Sequence, residues 1–271
     1  MGTLEGYDLD VLRWPVFGGF PLDAVVTTRR GGVSSGPYES LNLGLHVGDD
    51  PEQVLANRER AATAVGLSLS DLVFCSQSHG RGVAVVDRSH KGRGSRSIED
   101  AVAGVDALVT ADPGVGLVVM VADCVPLVLY EPVARVVACV HAGWRGTVAR
   151  IVDAAIGAMG TLGARPELIR AGIGPAIPTE RYQVGDEVAD AVRACFGDAA
   201  GDVIRPDGAG RWRFDLWAAN HRLLVKAGVP VGNIDPCRTG TGEGTPFFSH
   251  RAANPCGRFA AIAVLHQRGA S

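Results

Sequence analysis

An α+β fold, one domain of mixed β-sheets flanked by helices, follows from three observations. Strand-like and helix-like segments alternate without a strict βαβ period. No Gly/Pro/Ser-rich linker is long enough to divide the chain, and no internal repeat is present. The 271 residues, 46% hydrophobic and 20% charged, suffice for a large core, so one domain over 1–271 is the economical reading.

The elements follow in order. Residues Ala24 to Thr28 form a β-branched strand running into a Gly- and Ser-rich turn. "DPEQVLANRERAATAVG" is an amphipathic helix, capped at its start and closed by Gly66. "DLVFCSQSHGRGVAVVD" gives two strands around the polar break "SQSHG", which places Gln77 and His79 on a turn. The basic stretch Arg88 to Ser97, "RSHKGRGSRS", is too poor in apolar residues to order itself and is predicted as a solvated mobile loop. "VDALVTADPGVGLVVMVADCVPLVLY" continues with strands. "RVVACVHAGWRGTVARIVDAAIGAMGTLG" runs from a strand through a Gly-containing elbow into a helix. "LIRAGIGPAI" is a buried strand ending at Gly174-Pro175, and "VGDEVADAVRACF" is a helix with Val188, Val192 and Cys195 at helical spacing. "WRFDLWAANHRLLVKAGV" is predicted as a helix and "RFAAIAVLH" as the closing strand.

Composition excludes several classes of function. A formal net charge of -3 with dispersed Lys and Arg argues against a nucleic-acid partner. The longest apolar run, Val115 to Val128, is broken by Asp123 and Pro126 and falls short of the roughly 18 residues of a spanning helix, so no membrane partner is expected. The N-terminal segment does not resemble a secretory signal, and a cytoplasmic location is the default. The six cysteines form no CxxC pair; Cys139 and Cys195 read as small core residues. A monomer or weak dimer is expected.

Three metal-competent side chains sit at strand ends: His79, Cys124 and His141. Two imidazoles and a thiolate suit zinc and leave a fourth position open for catalysis, with copper as the alternative metal. The competing reading is a buried cysteine and two loop histidines, and spacing alone leaves both open.

The ordered motifs "TTRRGGVSSGPYESLNLGLHVGDDPEQVLANR", "QSHG", "VDALVT", "ADCVPLVL", "VHAGWRGT", "GIGPAI" and "FFSHR" resemble those of the YfiH family, also called the laccase-domain family or peptidoglycan editing factors. They span about Thr27 to Arg258. The resemblance implies zinc ligation by His79, Cys124 and His141, and a YfiH-like fold related to the cytotoxic necrotizing factor deamidases. It also implies phosphorolysis of adenosine, inosine and methylthioadenosine to free base and ribose 1-phosphate, with deamination of adenosine besides. Purine nucleosides and phosphate are then the partners. Two positions depart from the pattern: His250 stands where relatives often carry tyrosine, and Ala252 where a second arginine is usual.

The residues suit that chemistry in stated ways. A three-ligand zinc makes a water nucleophilic near neutral pH, as deamination at C6 requires. The H-x-E and P-C-x-x-C signature of cytidine-type deaminases is missing. Asp123, beside Cys124, is the candidate proton carrier, or a carboxylate bonded to loop amides. Arg145, at the start of a helix, is a candidate phosphate holder, or an elbow pin. Arg29 or Arg30 and Arg251 are further anion candidates. Asn42 and His46, on a Gly-rich loop, could read a ribose hydroxyl or a base edge, and an Asx turn is the simpler account of Asn42. Trp144 reads as core behind the elbow, with stacking on a purine as the alternative.

Other classes of function remain open on sequence. A copper polyphenol oxidase would need more histidines than the seven present, and no H-x-H pair occurs. A metal-free hydrolase acting on a peptidoglycan precursor would use His141 to activate Cys124 as nucleophile. An editing factor of cell-wall synthesis would hold a structural zinc.

Overall fold

The computed structural model describes residues 2–4 and 7–267. Its strands are β1 (Gly2–Leu4), β2 (Tyr7–Arg13), β3 (Leu22–Thr27), β4 (Leu72–Ser76), β5 (Val83–Val85), β6 (Val102–Ala103), β7 (Ala107–Thr110) and β8 (Gly116–Val121). They continue with β9 (Val125–Glu131), β10 (Val136–Ala142), β11 (Arg170–Ile173), β12 (Gln183–Gly185), β13 (Ile204–Pro206), β14 (Arg211–Phe214), β15 (Ile234–Pro236) and β16 (Phe259–Leu265). The helices are α1 (Pro51–Thr63), α2 (Trp144–Val148), α3 (Ile151–Thr161), α4 (Asp186–Phe196) and α5 (Leu216–Lys226).

Two mixed sheets carry the fold, as the α+β reading expects. The first has the order β1-β2-β3-β16-β8-β4-β6 and the second β15-β11-β9-β10-β7-β5. The short β12, β14 and β13 form a third. β8, β9 and β10 are buried along their whole length, which explains why they read as nearly unbroken apolar runs. Leu117, Val119 and Phe259 of the first sheet share one apolar cluster with Val128, Val137 and Cys139 of the second, so the two sheets pack face to face. On the outer face of the second sheet, Val140 and Leu127 pack with Ile156, Val192 and Leu223 of α3, α4 and α5. On the outer face of the first, Val118 and Ile262 pack with Ala61 and Ala62 of α1. Among the described residues no helix is long and apolar enough to cross a membrane.

Two local expectations need correction. "WRF" belongs to strand β14, paired with both β12 and β13, and α5 begins only after Asp215, whose carboxylate accepts the Ala218 N–H as an N-cap. The basic stretch 88–97 is held in place rather than solvated: Arg93 donates to the Asp100 carbonyl, Ser95 is buried, and the Gly94 and Ser95 carbonyls accept from Arg58. Its backbone polarity, not an apolar side chain, anchors it. Cys139 is fully buried as expected, while Cys195 is half-buried against the helix-side core.

Candidate metal centre

β9 and β10 pair antiparallel with His141 opposite Pro126 and Ala142 opposite Val125. That register brings the end of β10 beside the bend that carries the chain from β8 in the first sheet to β9 in the second. Cys124 ends this bend. His79 arrives on the polar break after β4, which is hydrogen-bonded to β8. The three come together at one end of the sandwich, with one ligand atom each within 4.8 Å of the others. The His79 and His141 rings meet edge to face, 4.7 Å between centroids.

One buried carboxylate organises both imidazoles. Asp106, at the start of β7, accepts from His141 Nδ1 at 2.8 Å, from the backbone N–H of His79 at 2.9 Å and of Gly80 at 2.7 Å, and from the Ser78 hydroxyl at 3.0 Å. With Nδ1 donating to Asp106, His141 keeps Nε2 for a ligand. The bonds to Ser78, His79 and Gly80 pin a turn in which His79 has φ +58°, a left-handed conformation uncommon outside glycine. Burial resists a charged Cys124, but His141 and His79 outweigh it and hold the thiol at about 6. Burial likewise resists a charged His141, and the Cys124 and Asp106 anions outweigh it, raising its pKa. Both shifts favour charge on the pair, a thiolate beside an imidazolium, and a thiolate is the form that binds a metal.

Gly143 makes the convergence sterically feasible. A Cβ there would lie 3.0 Å from Cys124 Sγ and 3.2 Å from His79 Cδ2, inside ordinary contact distance. Two imidazoles and a thiolate, one imidazole fixed by a carboxylate and all three clear of a side chain at 143, fit a borderline-soft divalent metal with an open face. Above the three lies a cavity of 660 Å³, within the range of small-molecule sites. Four arginines line it, Arg58, Arg145, Arg251 and Arg258, against one carboxylate, Asp123.

Residues 23–266 match the family model described as multi-copper polyphenol oxidoreductase laccase. The chain belongs to this laccase-like family. It is 41% identical over 231 residues to a protein named adenosine deaminase RL5 from an unknown prokaryotic organism, covering 85% of this chain and 88% of that one. It is 40% identical over 230 residues to purine nucleoside phosphorylase YlmD of Geobacillus stearothermophilus, covering 84% of each. The crystal structure of YlmD from that organism superposes with a TM-score of 0.90 at 37% identity, covering 96% of this chain and 99% of the other.

Within this laccase-family chain the other site candidates separate into two groups. His46, Asp123, Arg145 and Arg251 line the cavity together with the three metal-competent residues. Asn42 and Arg29 do not. Asn42 is fully buried; its amide donates to Asp49 and the Gly44 carbonyl, and its oxygen accepts from the backbone N–H groups of Gly44 and Arg258, leaving it committed to the loop. Arg29 donates to the Glu39 carbonyl and lies over the Phe248 ring, and Arg30 pairs with Asp10. The Asx turn given as the simpler account of Asn42 is present, and neither Asn42 nor Arg29 lines the cavity, against the expectation of ligand contact there.

Asp123 shows the loop-amide bonding given as the alternative to a proton carrier. It has φ +87°, and its two carboxylate oxygens accept separately from the Thr241 hydroxyl and the Arg251 N–H. That anchors the 241–251 loop to the cavity wall, and each oxygen keeps a second lone pair. Trp144 packs against the helix-side core as expected and, half-buried, also lines the cavity, with the Arg145 guanidinium 4.4 Å from its ring. Asp106 and Arg58 escaped sequence reading, the first in a segment read as strand and the second on a helix.

Gly143→Ala tests the packing directly. Its φ of -73° tolerates alanine, so the fold should hold while the crowding of Cys124 and His79 weakens zinc binding about tenfold. Competition with a chromogenic chelator checks this.

Proposed function

We propose that the chain is a cytoplasmic, zinc-dependent enzyme of purine nucleosides. It would carry out phosphorolysis of adenosine, inosine and methylthioadenosine, and deamination of adenosine. One observation carries the reading: His79, Cys124 and His141 converge, with an open face, on a cavity whose charged wall is four arginines and a single, committed carboxylate. The names of two relatives, an adenosine deaminase and a purine nucleoside phosphorylase, support it.

His79, Cys124 and His141 would hold the metal, and zinc there supplies a Lewis acid beside the substrate. The protein's own groups do the rest. Trp144 and Tyr182 offer aromatic surface to a purine on the cavity wall. Arg145 and Arg251 add positive charge to that wall. Asp106 keeps His141 in one tautomer, and Asp123 anchors the loop that carries Arg251. In phosphorolysis a phosphate oxygen bonds to C1′ as the C1′–N9 bond breaks, and the purine leaves with that electron pair and takes up a proton. In deamination water adds at C6 and ammonia leaves.

The family's description suggests copper oxidation instead. A blue-copper site plus a multinuclear cluster requires two or more ligand groups, and among the described residues one three-ligand group is found. The deciding assay incubates zinc-loaded protein with adenosine and phosphate. Ribose 1-phosphate with adenine or hypoxanthine, suppressed by a chelator, is the expected outcome. Absence of both ribose 1-phosphate and inosine would sink the reading.

A further inference from the structure

The cavity wall nearest α1 carries a charge with no counterion among the described residues. Arg58 is 1% exposed and still lines the cavity. Its Nε donates to the Leu43 carbonyl and its Nη1 to those of Gly94 and Ser95, at 2.7 to 2.8 Å. Nη2, with two further N–H groups, has only the Met120 thioether sulfur at 3.8 Å. Phe74 closes one face of the guanidinium, 4.0 Å from its ring centroid. No carboxylate pairs with Arg58 among the described residues, and burial alone brings its pKa down to about 9. An arginine buried without a counterion is costly, and three carbonyls fix its position without neutralising it.

A second guanidinium is held beside it in the same wall. The Arg258 N–H donates to Asn42 Oδ1, and its Nη1 donates to the Cys256 and Gly257 carbonyls at 3.0 Å. Its Nε and Nη2 have no acceptor among the described residues, and it too lacks an ion pair there. Its aliphatic stem crosses Gly44, where a Cβ would lie 2.9 Å from Arg258 Cγ. Asn42 thus ties the Gly44 loop, which presents His46, to Arg258. His46 lies on the cavity wall within reach of Arg258, Arg58 and the metal-competent His79; partial burial and these charges keep its pKa low.

We propose that Arg58, Arg258 and His46 form the subsite for inorganic phosphate, next to the His79 side of the metal centre. The choice of inorganic phosphate rests on the phosphorolytic reading above. Two planar forks with open N–H edges and an imidazole match an oxyanion carrying several acceptor oxygens. Held there, phosphate presents the oxygen that bonds to C1′ as the C1′–N9 pair departs with the purine. Arg145, exposed and stacked on Trp144, is then a group of the cavity wall rather than the phosphate holder.

Calorimetric titration of the zinc-loaded full chain with inorganic phosphate tests the assignment without turnover. Arg258→Gln and Arg58→Met should each weaken phosphate binding about tenfold or more, and Arg145→Gln less than about threefold. Thermal melts monitor folding; Arg258, half-buried, carries the test alone if Arg58→Met does not fold. Wild-type affinity in Arg258→Gln, or no phosphate binding by the wild type, overturns the proposal. Adenosine monophosphate is titrated in parallel: if it binds and inorganic phosphate does not, the anion is a nucleotide's own phosphate and the proposal fails. Phosphate binding that depends on Arg258, in a protein that converts no nucleoside, would leave the subsite standing and sink the functional reading.

Discussion

On the proposed function, replacing Cys124 by serine should abolish nucleoside turnover and zinc retention and leave the fold intact. The thiolate is the anionic member of the ligand set, and losing a Lewis acid worth several kcal/mol of transition-state stabilisation lowers the rate on the order of a thousandfold. The fold survives because the residue stands in a half-buried bend between β8 and β9, while the core strands on either side are buried over their full length. Metal-free wild type and Cys124→Ser should melt within about 3 °C of each other. Zinc analysis, circular dichroism melts and product assays measure the three parts. A structural zinc, as in an editing factor, gives the opposite pattern: Cys124→Ser unfolds. A metal-free cysteine hydrolase also loses activity in Cys124→Ser, but its wild type keeps activity under chelation.

Asp106→Asn should weaken zinc binding about 10- to 100-fold, the usual effect of removing a carboxylate behind a ligating histidine. It should also destabilise the metal-free protein by about 3 to 5 kcal/mol, because a buried imidazolium loses its partner. Asp106 is wholly buried, and the substitution leaves the Ser78–Gly80 turn with a neutral acceptor. Burial resists ionisation of Asp106, but the bonds from His141, Gly80 and Ser78 outweigh it and hold the carboxyl at about 2. A depressed pKa stabilises the fold at pH values above the ordinary 3.8, and that stabilisation is lost as pH falls toward 2. Urea melts of metal-free wild type and Asp106→Asn should therefore differ at neutral pH and converge between about pH 4 and 2. An unchanged gap across that window would assign the stabilisation to another group.

Chemically distinctive residues were legible in the sequence, and those whose role depends on distant pairing were not. His79, Cys124 and His141 were metal-competent on sight, but spacing alone left a buried cysteine and two loop histidines open, and the resemblance of "QSHG", "ADC" and "VHAGWRG" to the family's motifs joined them into one set. Asp106 sits just before an apolar strand; its meaning comes from β7 pairing with β10, which sets Ala107 opposite Val140 and brings His141 alongside. Arg58 looks like the solvated face of an amphipathic helix, yet α1 turns it inward to the carbonyls of Gly94 and Ser95. Asn42 and Arg29 show the converse, polar loop residues absorbed by the backbone of their own loop. The α+β class was readable from alternating patterns. The strand order was not, since β16 at the chain's end lies between β3 and β8. β14 reads as helix because it runs straight into α5, although Trp212 and Phe214 alternate with Arg211 and Arg213 as a strand's residues do; its partners β12 and β13 are only three residues long each.

The central claim is that nucleoside phosphorolysis depends on one metal held by His79, Cys124 and His141. The direct test is stoichiometric: zinc is titrated into chelator-stripped protein while ribose 1-phosphate release from inosine is followed. Activity rising from baseline to a plateau at one zinc per chain is the predicted result. Full activity in the stripped protein, or a plateau that requires several coppers, would contradict it.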